Sequence, residues 1–327
     1  MKPPMATPKT KAEAAAPKKQ AGLPAVAAAK AGVVPFRVYQ RAGFRLKTRR
    51  LGYVWRRQGG KSYLLGNTAL DWMMETPGVL TSIISAAIAL GTEIIVKEAQ
   101  SWRDHLRGLA ATAAAHKLRL ETNADAIDFD GFCDLFEHSK LEARLWHDQT
   151  TCSRTRVIAP NPNTAVGWTG HIIGDEFGRW PNCQDVLEAI EPFMESNPQF
   201  RLRLATTPPP DDKHYSYEML VPPEGAVFEP NPKGNFYRSS YGLLVHRVDT
   251  WDAALAGVAM HHPDTGEKIT PAEHRALAHD RAAWDRNYGV QFIAGGTGAV
   301  SLASIARAME LGRGQCLAVN VTEEIAA

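Results

Sequence analysis

A glycine-rich stretch that ends in a lysine and a hydroxyl residue carries the strongest chemical signal in the sequence. Gly59 and Gly60 precede Lys61 and Ser62, between a short predicted strand and a predicted helix. Backbone N–H groups around the glycines, at the positive end of that helix, could surround a phosphate. Lys61 could then reach the β- and γ-phosphate oxygens, while Ser62 could bind Mg²⁺. The stretch therefore predicts a loop that binds the phosphates of a nucleotide.

This loop departs from the usual P-loop pattern, GxxxxGK followed by Ser or Thr. Trp55 stands where the first glycine is expected. Taken alone, the stretch fits a glycine-rich surface turn that ends in an exposed lysine equally well. A phosphate-binding loop is favoured over a surface turn only if the sequence also contains other residues that could act on phosphates.

Two acidic residues, Asp175 and Glu176, close an apolar run that begins at His171. A parallel sheet would place this strand end at the same edge as the glycine-rich loop. Asp175 could then hold Mg²⁺ through water, and Glu176 could polarise a water that attacks the γ-phosphate. An acidic pair after a strand can also be a simple helix cap. Its position after the glycine-rich loop in the chain favours phosphoryl chemistry.

Weaker signals lie on either side of these motifs. Thr206 and Thr207 end another apolar strand and could sense the γ-phosphate, although they also fit an ordinary strand end and turn. Gln40 lies 21 positions before Lys61, and its amide could both donate to and accept from an adenine edge. Only this spacing distinguishes Gln40 from any other glutamine.

In this order, the motifs resemble those of the large terminase subunit of tailed bacteriophages. Gln40 is similar to that family's adenine motif, residues 172–176 to its Walker B motif and residues 205–208 to its coupling motif. The glycine-rich loop is similar to the family's deviant Walker A motif, which often carries Arg and Gln as Arg57 and Gln58 do here.

The resemblance covers roughly residues 33–310 and implies an ATP-driven motor that pumps double-stranded viral DNA through a portal into a procapsid. It implies ATP and Mg²⁺ as cofactors, with the phage portal protein and the small terminase subunit as partners. It also implies a homo-oligomeric ring in the cytoplasm of the bacterial host. No membrane partner is expected, because the longest apolar stretch, residues 79–90, is too short to cross a bilayer.

The resemblance also implies roles for individual residues. Glu176 would be the catalytic carboxylate, acting with Lys61 and with Arg57, a cis arginine that stabilises charge on the γ-phosphate. Ser62 and Asp175 would hold the metal. The two threonines of the coupling motif would link hydrolysis to movement. The residues implied to bind the nucleotide are Gln40, Arg57, Gln58, Gly59, Gly60, Lys61, Ser62, Thr206 and Thr207.

Short apolar runs alternate with helical patterns, which predicts an α/β fold with a mostly parallel sheet. The resemblance specifies a P-loop NTPase with a RecA-like sheet flanked by helices, plus a small helical second subdomain. A Thr-Pro-Ala-Glu cap at Thr270 predicts a helix that continues to about Tyr288. The other predicted strands are 53–55, 79–85, 156–159, 171–174 and 202–206, and the other predicted helices are 61–75, 86–102, 129–147 and 184–195.

Changes in composition along the chain predict its division into parts. Residues 1–31 form a disordered basic tail rich in Ala, Lys and Pro, and residues 32–210 form the ATPase core. A small second subdomain follows at 211–311. Residues 312–327 would be a linker toward the nuclease domain that the resembled family usually has, so nuclease activity is not expected from this chain alone.

Composition excludes several classes of protein. A chain of 327 residues with 44% hydrophobic and 22% charged residues is neither disordered nor fibrous. Its four cysteines lack a CxxC pair, so they indicate neither a disulfide framework nor structural zinc. The formal net charge is +2 overall and about −3 without the tail. A DNA-binding surface would therefore be a local patch.

Two other functions remain open. A superfamily 2 type DNA helicase or remodelling ATPase would use the same motifs and would normally have a second RecA-like domain. A catalytically silent nucleotide-binding assembly scaffold would keep the fold without turnover, although the presence of both phosphate-binding and acidic motifs argues against it.

In a ring, one copy could also supply an arginine to the nucleotide site of its neighbour. The sequence leaves four candidates open for this arginine, Arg154, Arg156, Arg201 and Arg203.

Overall fold

The structure is a computed structural model that describes residues 34–115, 129–163 and 168–293, together with Met309. The predicted tail at 1–31 and the predicted linker at 312–327 lie outside the described residues. Among the described residues, no helix combines the length and the apolar composition that a membrane span needs.

The described elements alternate between strands and helices along most of the chain. The helices are α1 (Val38–Phe44), α2 (Lys61–Glu75), α3 (Ile88–Ala115), α4 (Phe129–Asp134), α5 (Cys183–Ile190), α6 (Tyr215–Leu220), α7 (Thr250–Leu255), α8 (Pro271–Ala276) and α9 (Arg281–Asn287). The strands are β1 (Arg50–Trp55), β2 (Leu80–Ser85), β3 (Phe136–His138), β4 (Glu142–Trp146), β5 (Cys152–Ile158), β6 (His171–Asp175), β7 (Leu202–Thr206), β8 (Asn235–Arg238), β9 (Leu244–Val248), β10 (Met260–His261) and β11 (Lys268–Ile269).

Nine strands form one sheet in the order β3-β4-β5-β2-β6-β7-β1-β9-β8. The strands from β5 to β9 in this order are parallel, and antiparallel strands add to both edges. Strands β1, β2, β6 and β7 are buried along almost their whole length, as expected for a parallel sheet covered on both faces. The prediction of an α/β fold with a mostly parallel, RecA-like sheet is confirmed.

Two apolar clusters cover the two faces of this sheet. Trp55 and Trp72 are fully buried in the cluster that packs under α2 and α3. Phe177 and Trp180 are fully buried in the other cluster, which includes α5 and α6. The helices therefore bury both faces, and this burial fixes the strand ends that carry the acidic and glycine-rich motifs.

The strand order brings the candidate motifs to one edge. β7 lies between β1, which leads into the glycine-rich loop, and β6, which ends at Asp175. In the parallel register Val54 pairs with Thr206, and Asp175 pairs with Ala205. Because the strands are parallel, their carboxyl ends lie at the same edge of the sheet.

The predicted helix at 129–147 is wrong beyond residue 134. Helix α4 ends at Asp134, and β3 and β4 follow as an antiparallel hairpin at the edge of the sheet. Within β4, Ala143 and Leu145 are buried while Arg144 between them is exposed. This period of two is that of a strand with one covered face, and it competes with the helical pattern in the same residues.

The predicted helix from Thr270 to about Tyr288 is broken into α8 and α9. The capping box is confirmed, since Thr270 Oγ1 accepts from Glu273 N and Glu273 Oε2 accepts from Thr270 N. Asp280 then starts α9 with a cap of its own, accepting a hydrogen bond from Ala283 N at 2.8 Å. A second N-cap inside the pattern ends the first helix.

The main sheet continues past residue 210, where the sequence analysis ends the core. Strands β8 and β9 extend it at the edge beside β1, and Tyr53 pairs with His246. We use the term helical unit for α7, α8 and α9 together with the short β10–β11 hairpin. This unit follows β9 in the chain, and the predicted boundary at residue 210 falls in a loop between two strands of the main sheet.

Helix α3 carries a buried carboxyl group, Glu98, which the sequence analysis does not identify. Its Oε1 accepts a hydrogen bond from Thr155 Oγ1 at 2.9 Å, while Oε2 has no partner among the described residues. Burial raises the pKa of Glu98 from 4.5 to about 8. The carboxyl is therefore protonated in the folded chain at neutral pH.

We predict that Glu98 makes the protein less stable as the pH rises from about 4.5 to 8. In this range the unfolded chain loses the Glu98 proton and the folded chain keeps it, so the free energy of unfolding falls by about 1.4 kcal/mol per pH unit. Glu98→Gln should remove this contribution, as measured by urea unfolding at several pH values. The exposed Glu93→Gln on the same helix is the control. An unchanged pH dependence in Glu98→Gln would contradict the assignment.

Candidate nucleotide site

Helix α1 fixes the conformation of the glycine-rich loop. Tyr39 Oη donates to Gly59 O at 2.9 Å, and Gln40 Nε2 donates to Gly60 O at 3.2 Å. Gly60 has a φ of +80°, in the left-handed region that favours glycine, and it is the N-cap residue directly before α2. The loop and the helix N-terminus are thus held together by side chains from outside the motif.

Lys61 is the first residue of α2 and is 7% exposed. Its Nζ donates to Trp55 O and to Arg56 O, both at 3.4 Å, and lies 3.6 Å from Glu176 Oε1. Burial lowers the pKa of Lys61, and the carboxylates of Glu176 and Asp175 act against this change. The lysine is a buried cation whose hydrogen bonds are all long, so a closer anionic acceptor would stabilise it.

Asp175 ends β6 and is 3% exposed. Its Oδ1 has no hydrogen-bond partner among the described residues. Burial raises the pKa of Asp175 to about 7, and the neighbouring charge of Glu176 acts in the same direction. Gly174, just before it, is required by packing, because a Cβ there would lie 2.6 Å from Leu204 Cδ2.

The orphaned oxygen of Asp175 fits the metal implied by the motifs. A buried carboxylate without a donor is stabilised by a divalent cation, and Mg²⁺ is commonly held by one or two protein ligands together with phosphates and water. Ser62, half-buried in the first turn of α2, could supply a second oxygen. Among the described residues, no group of three or more His, Cys, Asp or Glu side chains forms an all-protein metal site.

Glu176 follows with a left-handed backbone, φ +49° and ψ +40°. This conformation is uncommon outside glycine and is often retained where a side chain must point in a particular direction. The Glu176 side chain is 24% exposed, in contrast to Asp175, and it contacts Lys61. One carboxylate of the pair is therefore buried, while the other is open to water.

Thr206 connects the end of β7 with the segment that follows the acidic pair. Its Oγ1 accepts from Gly178 N at 3.2 Å and donates to Thr207 O at 2.8 Å. Both threonines are buried. Because Gly178 is only two residues after Glu176, a shift at the acidic pair would act on this hydrogen bond. The roles of Thr206 and Thr207 in coupling stay predictions.

Gln40 binds protein groups with both ends of its amide. Its Oε1 accepts from Arg37 N at 2.9 Å, in addition to the bond from Nε2 to Gly60 O. The structure thus gives Gln40 a part in holding the loop. Its predicted contact with adenine stays a prediction.

Arg57 and Gln58 are exposed on the loop. Gln58 has a φ of +56°, and the backbone N–H of Arg57 donates to Asn287 O at 2.8 Å. The Arg57 side chain is thus exposed to solvent, whereas its backbone is held by this hydrogen bond. Its predicted contact with the γ-phosphate stays a prediction.

Sequence reasoning missed three residues of this region. Tyr39, which holds Gly59, carries no motif that distinguishes it from other core aromatics. Ser85 ends β2 opposite Asp175, and its buried Oγ has no partner among the described residues. Arg56 is only 4% exposed, although the next residue is open to solvent. The tandem arginines in the sequence do not indicate which is buried.

Two of the four arginines left open for a neighbouring copy are engaged at the opposite, amino edge of the sheet. Arg201 forms an ion pair with Glu75 at 3.1 Å. Arg203 is buried and donates to Thr48 O and Leu46 O, both at 2.9 Å. Their charges serve the fold, whereas Arg154 on β5 is exposed.

These features together define the fold as that of a RecA-like P-loop NTPase. Neither a protein-family model nor a curated protein matches the sequence. The fold is similar to that of a variant of the large terminase ATPase domain of Thermus phage P74-26, at 18% identity and a TM-score of 0.52, over 81% of this chain and 97% of that one. The resemblance drawn from the motifs is thus confirmed at the level of the fold.

Two further solved structures are similar to this chain at lower identity. The large terminase of a thermophilic bacteriophage shares 10% identity at a TM-score of 0.47, over 80% of this chain and 55% of that one. This chain therefore spans about half of that terminase. The Phi-28 gp11 DNA packaging motor shares 12% identity at a TM-score of 0.41, over 78% of this chain and 68% of that one.

We predict that Gly60→Ala lowers the free energy of unfolding by more than the cost of placing an alanine at a positive φ. A Cβ at Gly60 would lie 2.5 Å from Gln40 Nε2, so the amide must move and lose its bonds to the loop and to Arg37 N. Each lost hydrogen bond costs about 1 kcal/mol. Chemical denaturation should show this excess over Gly257→Ala, which has a similar φ of +86° and open space around it.

A second comparison isolates the clash. In a Gln40→Ala background, Gly60→Ala should lower the free energy of unfolding no more than Gly257→Ala does, because the Gln40 amide that would meet the new Cβ has been removed. Equal destabilisation by Gly60→Ala with and without Gln40 would show that the amide does not hold the loop.

Proposed function

We propose that this chain is the ATP-hydrolysing motor domain of a phage terminase large subunit and drives double-stranded viral DNA into a procapsid. One observation carries the proposal: buried Lys61 at the start of α2 lies 3.6 Å from Glu176 and interacts with the charge of Asp175, whose Oδ1 has no partner among the described residues. The similarity to the P74-26 ATPase domain supports the fold that this arrangement needs.

Lys61 is suited to bind a phosphate oxygen of ATP. Its present acceptors are two carbonyl oxygens at 3.4 Å and the Glu176 carboxylate. A phosphate oxygen carries more negative charge than a carbonyl, and the low local dielectric strengthens its attraction to the ammonium group. The N–H groups at the start of α2 would bind neighbouring oxygens of the same phosphate chain.

Asp175 and Ser62 would hold Mg²⁺. Bound there, the ion would supply charge neutralisation on the phosphate oxygens and orient the phosphate chain. Asp175 must be deprotonated to bind it, and a divalent charge would bring its raised pKa down.

Glu176 is suited to orient the attacking water, because its carboxylate is partly exposed and fixed by Lys61 and by its own strained backbone. Arg57, exposed on the loop, would add positive charge near the γ-phosphate. In phosphoryl transfer such positioning and charge stabilisation supply most of the catalysis.

The hydrogen bond from Gly178 N to Thr206 Oγ1 offers a route from hydrolysis to movement. A change at Glu176 would be passed to the end of β7 through this bond. The DNA, the portal protein and the small terminase subunit are the proposed partners, in a ring of copies within the cytoplasm of the bacterial host. A helicase or remodelling ATPase and a silent nucleotide-binding scaffold are the alternatives.

We predict Mg²⁺-dependent ATP hydrolysis that both Lys61→Ala and Glu176→Gln reduce by about a hundredfold or more, the scale of losing one electrostatic partner of a transition state. Steady-state phosphate release measures it. The exposed Lys268→Ala removes a positive charge far along the chain from the motifs and should leave turnover unchanged. Nucleotide binding without turnover in the wild type would favour the scaffold.

We further predict that linear double-stranded DNA stimulates this turnover when a portal-bound assembly is present. A motor grips DNA through several copies, so assembly increases the response to DNA. Turnover that single-stranded DNA stimulates better than duplex DNA, without any portal requirement, would favour the helicase alternative.

A further inference from the structure

Arg56, next to the phosphate loop, is a buried cation with unused hydrogen-bonding capacity. Its Nε donates to Arg57 O at 3.0 Å, and its guanidinium lies over the ring of Tyr288 at 5.3 Å from the centroid. Its Nη1 has no hydrogen-bond partner in the part of the chain that the structure describes, and the Asp249 carboxylate acts on its charge without forming an ion pair with it. A buried arginine without a carboxylate is costly, so its ring contact matters to the fold.

Tyr288 connects all three helices of the helical unit. It caps the end of α9, and its carbonyl accepts from both Thr250 N at 2.9 Å and Thr250 Oγ1 at 2.8 Å at the start of α7. Its ring stacks on Trp284 of α9 and contacts His274 of α8 at 5.5 Å. A displacement of this ring would therefore affect the whole unit.

Backbone hydrogen bonds link Arg56 to the strand that leads into the helical unit and link Arg57 to the unit itself. Arg56 N donates to Val248 O, just before α7, and Arg57 N donates to Asn287 O, at the end of α9, both at 2.8 Å. The phosphate loop and the helical unit therefore share a border, to which Arg57 contributes a backbone hydrogen bond and Arg56 contributes a ring contact.

We propose that the contact between Arg56 and Tyr288 transmits nucleotide binding at the phosphate loop to the helical unit. The proposal rests on the proposed function, because it needs a nucleotide in the loop. Arg56 is thereby a positioning residue, distinct from the exposed Arg57, whose predicted partner is the γ-phosphate.

The physical basis is the weak screening of a buried charge. A Cβ added at Gly59 would lie 3.6 Å from the Cγ of Arg56, so the Arg56 side chain passes close to the loop at Gly59. A polyphosphate in the loop changes the field on this guanidinium far more than on a solvated one. A bound anion and the Tyr288 ring both attract the Arg56 guanidinium, so an anion in the loop changes the strength of the contact with Tyr288.

Hydrogen exchange of α9 tests the proposal in the full chain, with Mg²⁺-ADP as the probe. ADP should change the exchange rates of the α9 amides about threefold or more in the wild type, the scale of a cation–π contact. Tyr288→Phe keeps the ring and should keep the response, whereas Tyr288→Leu and Arg56→Met should abolish it. Retention of the response in both of these variants would overturn the proposal.

Arg275→Ala is the matched control. It breaks the 2.6 Å ion pair with Asp285 between α8 and α9, and so loosens the unit without touching the loop. It should raise exchange with and without ADP and preserve the response to ADP. Loss of the response in Arg275→Ala would show that any loosening of the unit removes it, which overturns a specific role for Arg56.

A thermodynamic cycle provides a readout that does not depend on exchange. The effects of Arg56→Met and Tyr288→Leu on ADP affinity should be non-additive, while Arg56→Met and Arg275→Ala should be additive. Absence of ADP binding to the wild type would overturn the proposed function together with this inference. ADP binding without any α9 response would overturn the inference alone.

Discussion

Incompletely compensated buried charge at one edge of the sheet is the constraint on which the site depends. Lys61 and Asp175 have both lost water, yet the lysine has only long hydrogen bonds and one oxygen of the aspartate has none. Their pKa values are accordingly shifted toward the neutral forms. A metal ion with a polyphosphate supplies charges of both signs, which is what this pair of groups needs.

The fold maintains this arrangement by burying the strands that end at the site. β7 separates β1 from β6, so the lysine and the acidic pair face each other across one strand. Gly174 permits the close approach of Leu204 behind Asp175, and Tyr39 and Gln40 fix the loop from α1. The rigid sheet thus makes the site, while the contacts of Arg56 connect it to a smaller unit that has fewer buried residues.

The secondary structure could be predicted best where the local sequence pattern is compatible with only one kind of element. Helix α2 begins at Lys61 and ends at Glu75 as predicted, because a left-handed glycine starts it and an apolar stripe continues it. The 129–147 segment failed, because its alternation becomes clear only once β5 is known to pair with it. Burial of Arg56 instead of Arg57 depends on Tyr288, more than 200 positions away, and no local pattern contains that information.

Calorimetric titration with ADP, with and without Mg²⁺, measures whether a metal-bound nucleotide completes the charges of this site. We expect Mg²⁺ to strengthen ADP binding to the wild type by about tenfold or more, a coupling that Asp175→Asn abolishes. An ADP affinity that is independent of Mg²⁺, or a Mg²⁺ dependence that survives in Asp175→Asn, would contradict it.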